Sequence, residues 1–365
     1  MPILSRNRQI TRKEVRGLFA KSFITQSRDV LYPLFTETVD TYSEKEYFAT
    51  LGTVPQVQQI TDELEVPFTE LNEYTFDFTN KLYKSLIRLK RGLVDFDQTG
   101  QSRTLLHSLA GRVVNFPDKL AMTRLRNGTD STLGKCITGS AFFSTSHVLG
   151  SQSGQSNLLS GNTPTNSWTS TTARADTAEK VIVDLDRALV QMLSWKDDQG
   201  EPFYQKIRPE DLVVVCSPLL YSTMKLALSA KFIKQTDNVY EGFVGGVYSS
   251  NYLPTSGAEA ADWYLMNVGH VNRPLVYSRF RMRTDSEMQD TLSQYQSAGS
   301  PFNITMEDLR NLSSVEILTN LGERGGMNAD SHVILHEEFL MAARWRGEVS
   351  YGIPWAAVKM DNTAT

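Results

Sequence analysis

Residues 111–147 read GRVVNFPDKLAMTRLRNGTDSTLGKCITGSAFFSTSH, and the rest of the chain is best interpreted outward from them. Their apolar spacing predicts the second half of a long helix over residues 98–127. Pro117 should kink or split this helix, and Asn127-Gly128 should end it. A short polar turn then leads to an apolar segment around Phe142-Phe143, which we interpret as a strand.

The composition describes a protein with a sizeable core. Of the 365 residues, 40% are hydrophobic, enough for one large domain or two interleaved lobes. The formal net charge of −4 gives no overall signature of nucleic-acid binding. Two widely separated cysteines, Cys136 and Cys216, suit a reducing cytoplasm better than a disulfide framework. No signal peptide or membrane-spanning run is visible, so we expect a soluble protein without membrane contact.

The charges are sorted along the chain, which is more informative than their sum. Residues 1–30 carry seven basic and two acidic side chains, whereas residues 46–80 carry seven acidic side chains and no lysine or arginine. Residues 81–127 carry ten basic and three acidic side chains. Such sorting is typical of segments that meet other segments, including those of other copies. The sorting is explained equally well by charged side chains that face solvent and cluster by chance.

Periodicity predicts an α+β protein with a mixed order of elements, not alternating βαβ units. We expect extended chain over residues 30–39 and a long uncharged loop over residues 144–172. The expected helices are 11–30, 98–127, one that Asp176 caps and one that starts at Pro218. The expected strands are 42–54, 74–97, 212–216, 247–253, 263–268, 274–283, 314–319, 332–345 and 349–360.

Two of these strands should form a long hairpin. Its arms are residues 42–54 and 74–97, joined by about twenty polar and acidic residues. An isolated two-stranded ribbon is only marginally stable in water, so this hairpin needs a surface to lie on.

The segment Gly150-Ser151-Gln152-Ser153-Gly154 matches the G-x-S-x-G pattern of serine hydrolases. That pattern requires a strand before the serine and a helix after it, whereas both flanks here are rich in Ser, Gly and Asn. Chance occurrence in a loop of low complexity is the favoured interpretation. A hydrolase that uses Ser151 or Ser153 is the remote alternative.

Other residues that could carry chemistry lack the required spacing. His332 and His336 are four apart, as in a helical zinc site, but Val333 and Ile334 favour a strand. On a strand the two histidines would lie about 13 Å apart, too far for one metal ion. Cys216 has no histidine nearby in sequence and is interpreted as a buried thiol. We therefore predict no catalytic, metal-binding or cofactor-binding residues.

A basic run follows the acidic hairpin and could face nucleic acid. It consists of Arg88, Lys90, Arg91, Arg103, Arg112, Lys119, Arg124 and Arg126. Because aromatic residues are not interleaved with it, the run supports at most weak, salt-dependent contact with DNA.

The order of these parts resembles that of the Mu-like major head subunit family of tailed phages, whose fold is the HK97 capsid fold. The resemblance spans nearly the whole chain, with further matches at residues 209–215 and 339–360. The residues that carry it most clearly are Gly111, Arg112, Pro117, Asp118, Leu120, Leu125, Gly128, Cys136, Gly139, Phe142, Phe143 and His147.

The resemblance implies an N-terminal arm (1–40), an E-loop hairpin (41–97), a peripheral domain with its spine helix (98–203), an axial domain (204–322) and a return to the peripheral domain (323–365). It implies a non-enzymatic major capsid protein that forms hexamers and pentamers of an icosahedral head around the phage genome. Expected partners are other copies, scaffold, portal and decoration proteins, and packaged double-stranded DNA; no cofactor is expected. The expected location is the virion, after assembly in the host cytoplasm. An encapsulin-like nanocompartment shell is the alternative.

The sorted charges suggest how copies contact one another. We hypothesise that the basic arm of one copy meets the acidic loop of another. The residues concerned are Arg12, Lys13 and Arg16 on the arm, and Asp62, Glu63 and Glu65 on the loop.

Overall fold

The computed structural model describes residues 12–51, 73–90, 100–150, 152–163, 171–269, 273–281, 305–319 and 338–362. Its helices are α1 (Arg12–Gln26), α2 (Tyr32–Phe35), α3 (Gln101–Val114), α4 (Phe116–Arg126), α5 (Thr171–Ser194), α6 (Pro218–Ser229) and α7 (Met306–Ser313). Its first eight strands are β1 (Thr36–Thr41), β2 (Lys45–Leu51), β3 (Glu73–Thr79), β4 (Lys81–Lys90), β5 (His147–Leu149), β6 (Gln152–Gln155), β7 (Leu158–Ser160) and β8 (Leu212–Cys216). The others are β9 (Phe232–Ile233), β10 (Thr236–Asp237), β11 (Gly246–Ser249), β12 (Trp263–Asn267), β13 (Leu275–Phe280), β14 (Val315–Thr319), β15 (Glu338–Tyr351) and β16 (Ala357–Asp361).

The first sheet is organised around the long strand β15. This strand pairs antiparallel with β4, β13 and β14, and β1 joins the edge of β13 in parallel. The β4–β15 pairing is the longest and runs over ten residues, from Lys81 opposite Gly347 to Lys90 opposite Glu338. One face of the sheet packs against α1, α3 and α4 in a shared hydrophobic core.

The second sheet has the strand order β11-β8-β12-β16-β7. It mixes parallel pairs at its two edges with antiparallel pairs at its centre. The chain passes from the first sheet to the second where β15 gives way to β16. The C-terminal strands therefore join the two sheets.

The central strands of the second sheet are covered on both faces. In β8, Val213 and Val215 belong to the core shared with the first sheet, whereas Val214 and Cys216 face the core formed with α5 and α6. All five residues of β8 and of β12 are buried. Burial on both faces explains why β8 reads as an unbroken apolar run, without polar alternation.

The predicted helix over residues 98–127 is confirmed, including its interruption. It consists of α3 and α4, which meet at Asn115, and Pro117 lies in the first turn of α4. Proline is tolerated there because the first amide groups of a helix have no carbonyl partner in the preceding turn. The predicted strand at 212–216 and the helix that starts at Pro218 are confirmed as well.

Three predictions about chain ends and loops are wrong. Asp176 does not cap a helix, because α5 already begins at Thr171. The predicted loop over residues 144–172 contains the strands β5, β6 and β7, and β7 completes an edge of the second sheet. The predicted extended chain over residues 30–39 begins with α2 and is extended only from Thr36, and the backbone amides of Leu31 and Tyr32 at the start of α2 donate to the side-chain carboxylate of Asp118 on α4.

Two strand predictions also need correction. The expected strand over residues 74–97 breaks at Asn80, because β3 pairs with β2 and β4 pairs with β15. Phe142 and Phe143 are fully buried in irregular chain, and the strand begins only at His147. These differences depend on partners that are distant in sequence.

Candidate assembly surfaces

The β2–β3 ribbon rests partly on its own chain, because Phe78 of β3 is buried and Tyr74 packs against the core formed with α5 and α6. Its seven residue pairs run from Lys45 opposite Thr79 to Leu51 opposite Glu73, and within the described ranges neither strand joins a larger sheet. The side chain of Tyr47 is 74% exposed. Because this ring is exposed, the part of the ribbon around Tyr47 is a candidate for contact with another molecule.

The base of the ribbon is fastened by a single buried asparagine. Asn80 is 3% exposed, and its Nδ2 donates hydrogen bonds to Thr41 Oγ1 at 3.0 Å and to the carbonyl of Ser43 at 2.8 Å. Its Oδ1 accepts a hydrogen bond from Ser278 on β13, and its backbone N–H donates to the carbonyl of Glu44 at 2.8 Å. The side chain thus fixes the base of both ribbon strands to the first sheet.

An ion-pair network surrounds the same base. Arg279, 3% exposed, contacts Asp40 at 2.7 Å and Glu307 on α7 at 2.6 Å, and Arg281 contacts Asp40 at 2.5 Å. Burial alone would raise the pKa of Asp40, but hydrogen bonds from Arg279 and Arg281 outweigh it and lower the pKa. The carboxylate therefore stays charged between two cations and holds β1 to β13.

The described part of the predicted arm packs on its own chain. Val15, Phe19 and Phe23 of α1 are buried in the core that α3 shares. Gly111 of α3 lies close to Gln26 at the end of α1, so a Cβ at that position would require the flexible end of the Gln26 side chain to move. A second tie comes from Asp118 of α4, whose carboxylate accepts the backbone amide of Tyr32 at 2.6 Å.

Of the two partners in the predicted arm–loop pairing, the arm residues lie within the described part of the chain and the loop residues do not. Arg12 and Lys13 lie in the first turn of α1, and Arg16 is exposed on the same helix. Asp62, Glu63 and Glu65 lie outside the described residues. The pairing, like the five-part division of the chain, stays a prediction.

One buried cluster has the residue types of a cysteine protease site. His147 Nδ1 lies 4.0 Å from Cys136 Sγ and 2.9 Å from Thr138 Oγ1, and its Nε2 lies 3.0 Å from Asn157 Oδ1. Burial raises the pKa of the Cys136 thiol and lowers the pKa of the His147 imidazole, so both groups are kept neutral. Cys136 is 3% exposed and His147 is 1% exposed, so the cluster has the features of a structural hydrogen-bond network.

The G-x-S-x-G segment does not have the geometry of a nucleophile elbow. Gly150 turns the chain between β5 and β6, which pair with each other, so Ser153 lies on a strand and no helix follows. His147 on the paired strand is engaged with Thr138 and Asn157, and Ser153 is exposed. Ser151 lies outside the described residues.

Two arginines of the basic run form ion pairs, and one of these, Arg126, remains exposed. Arg124 contacts Glu348 at 3.2 Å, and Arg126 contacts Glu259 at 2.7 Å. In contrast, Arg112 and Lys119 are exposed beside a groove between β4 and the helices α3 and α4. Sequence reasoning missed this groove, because its two walls come from segments that are not adjacent in sequence.

The described ranges contain no cluster of three or more potential metal-binding side chains. They also contain no helix that is long and apolar enough to span a membrane. His332 and His336 lie outside the described residues.

Comparison with known proteins now relates this geometry to a family. Residues 11–175 match the family model described as the Mu-like prophage major head subunit gpT. Over this part, 165 of the 365 residues, the chain is similar to the Mu-like major head subunit family. Among curated proteins, no relative of the chain is found.

Solved structures share the fold over nearly the full length. The asymmetric unit of the mature capsid of bacteriophage PhiM1 has a TM-score of 0.51 at 9% identity, over 91% of this chain and 87% of that chain. The capsid structure of the cyanophage P-SCSP1u has a TM-score of 0.50 at 12% identity, over 99% and 90%. The chain therefore has the HK97-like fold of phage capsid proteins.

A third comparison concerns the encapsulin alternative. The holo-SrpI encapsulin complex of Synechococcus elongatus has a TM-score of 0.46 at 9% identity, over 92% of this chain and 89% of that chain. This TM-score is too low to argue from. The family match and the shared fold together support a major capsid shell protein.

Proposed function

We propose that copies of this chain assemble into hexamers and pentamers that form an icosahedral head around the phage genome. The observation that carries the proposal is the β2–β3 ribbon. Its base is fastened by Asn80, while the tyrosine side chains of Tyr42 and Tyr47 are 69% and 74% exposed. A neighbouring copy would cover these rings and remove them from water.

The arm and the loop supply a second contact in this proposal. The basic residues Arg12, Lys13 and Arg16 would meet Asp62, Glu63 and Glu65 of another copy, because these segments carry opposite charge. Replacement of the three arm residues by glutamate should weaken assembly. Basic substitutions at the three loop residues should then restore part of it, and unchanged assembly of the arm variant would contradict the pairing.

The further partners follow from the same role. Scaffold, portal and decoration proteins would meet the shell during and after assembly in the host cytoplasm. The exposed basic side chains, among them Arg88 and Arg103, would give weak and salt-dependent contact with packaged double-stranded DNA.

Electron microscopy and sedimentation velocity of the expressed protein test the proposal directly. We expect closed particles with pentamers and hexamers, and a chain that stays monomeric at high concentration would contradict it. Particles isolated from infected cells should contain phage DNA; particles that instead enclose an enzyme would favour the nanocompartment. Labelling of Ser151 or Ser153 by a fluorophosphonate probe would favour the hydrolase, and we expect none.

A further inference from the structure

A buried lysine lies beside two carboxylates in the second sheet. Lys359 of β16 is 5% exposed, and its Nζ lies 2.9 Å from Asp262 Oδ2 and 3.9 Å from Asp361 Oδ2. Asp262, the residue before β12, is 4% exposed. Lysine and aspartate are almost never buried to this extent unless they are paired, because removal of a charge from water is costly. An amide bond between the two side chains would remove both charges.

The strand register places these groups on one face of the sheet. Tyr264 lies opposite Lys359 in the antiparallel β12–β16 pair. Side chains two residues apart on a strand point to the same face, so Asp262 and Asp361 share the face of Lys359. Tyr264 is 2% exposed and belongs to the core shared with the first sheet. The lysine and the carboxyl group of Asp262 are therefore held together in a largely apolar environment.

The carboxyl group of Asp262 is oriented for attack by an amine. Its Oδ1 accepts the backbone N–H of Asn362 at 2.8 Å, whereas its Oδ2 faces the lysine. Burial raises the pKa of Asp262, although the charge of Lys359 opposes the shift. The raised pKa favours the neutral acid, whose carbonyl carbon can be attacked. The N–H on Oδ1 also stabilises the negative charge that develops on this oxygen during attack.

We propose that Lys359 and Asp262 form an intramolecular isopeptide bond once the chain has folded. The ammonium group first gives one proton to Asp262 Oδ2, which leaves a neutral amine beside a neutral acid. Nζ then attacks Cγ of Asp262. Asp361 accepts a second proton from Nζ and returns it to the departing hydroxyl group, so that the bond from Cγ to Oδ2 breaks and one water molecule leaves. The side chain of Asp361 is 27% exposed, which gives this water a path to solvent.

The bond would close a covalent ring that includes strands of both sheets. Residues 263–358 lie between its two ends, and they contain β13, β14 and β15 of the first sheet. A cross-link that closes a long loop restricts the unfolded chain and thereby favours the folded one. The inference concerns a single chain and does not depend on the proposed assembly.

The intact mass of the purified, denatured chain tests the inference directly. After allowance for removal of the first methionine, we expect a mass below that of the sequence by about 18 Da, the mass of one water molecule. Peptide mapping should place the deficit on a branched peptide that joins Asp262 to Lys359, and trypsin should not cleave after Lys359. A chain at the full mass overturns the inference. So does a deficit that maps elsewhere or disappears in mild alkali, as that of an aspartyl succinimide would.

Variants separate the covalent bond from a simple ion pair. Lys359→Met and Asp262→Ala should each abolish the mass deficit. Asp361→Asn should lower the linked fraction of freshly made chains by about tenfold, because the carrier of the proton is lost. Lys81→Met is the matched control and should keep the deficit. Lys81 Nζ lies 3.0 Å from Glu348, but the lysine side chain is 59% exposed, so water keeps that pair ionic.

Discussion

The second sheet and the β2–β3 ribbon show two ways in which strands are kept in place. The strands β8 and β12 are buried along their whole length, with Val214 and Leu265 facing one core and Val213 and Met266 facing the other. The ribbon instead exposes Tyr47 and depends on polar contacts at its base.

The difference lies in the origin of the stabilising free energy. In the second sheet it comes from apolar surface that the same chain removes from water. In the ribbon the ring of Tyr47 stays exposed, and the buried hydrogen bonds of Asn80 help to fix the base of the ribbon to the first sheet.

The largest loss of stability is expected from a cavity in the second sheet. Trp263 is fully buried, so Trp263→Ala should lower the free energy of unfolding by about 3–5 kcal/mol. Tyr47→Ala on the ribbon should change it by no more than about 0.5 kcal/mol, because that ring is exposed. Urea unfolding of the unassembled chain measures both, and equal losses would contradict the distinction.

A second prediction concerns the fastening of the ribbon. Asn80→Ala leaves Thr41, Ser43 and Ser278 without their buried partner, and should cost about 1–3 kcal/mol. Hydrogen exchange should increase first at the base of the ribbon and hardly at all in β8. The exposed Asn251→Ala is the matched control and should be neutral. Exchange that increases everywhere alike would mean that Asn80 does not act locally.

The third prediction uses pH to probe the buried network around His147. Burial lowers the pKa of this histidine in the folded chain, whereas an unfolded histidine titrates near about 6.5. Below that pH the unfolded chain binds a proton that the folded chain does not, so the free energy of unfolding falls with decreasing pH until the folded pKa is reached. The slope is at most about 1.4 kcal/mol per pH unit.

Comparison of variants isolates the contribution of His147 from the other titrating groups. Chemical unfolding between pH 7 and pH 5 should show a shallower dependence for His147→Gln than for the unmodified chain. His107→Gln, at an exposed position, should keep the original slope. If both variants behave alike, burial of His147 is not the cause.

The smallest expected effect lies in a second ribbon, β9–β10. Its two turn residues, Lys234 and Gln235, have φ values of 47° and 68°, where glycine is favoured. Gln235→Gly should therefore raise the free energy of unfolding by about 0.5 kcal/mol, after allowance for the greater freedom of glycine in the unfolded chain. Gln235→Ala keeps the strain and should give no gain in a thermal-unfolding measurement.

Several parts of the fold could be predicted because their causes are local. Pro117 predicts the interruption between α3 and α4, and the apolar run at 212–216 predicts the strand β8. Asn80 is different, since nothing in residues 74–90 indicates that strand pairing changes there. The break follows from pairing with β2 on one side and with β15 on the other.

The candidate surfaces also divide into features with local causes and features that depend on residues distant in sequence. The sorting of charge between residues 46–80 and 81–127 is visible in the sequence and led to the prediction of contacts between copies. The groove was not visible, because Lys84, Arg112 and Trp345 converge only when β4 pairs with β15 and lies against α3.

The amino-acid sequence by itself determined the helices, the apolar strands and the sign of charge in each segment, because spacing and side-chain chemistry act over a few neighbouring residues. Only the tertiary structure decided which strands pair, where Asn80 fastens the ribbon and where the groove between β4 and the helices α3 and α4 forms. Those features join residues as far apart as Asn80 and Ser278, and a hydrogen bond or ring contact between them exists only after the intervening chain has folded.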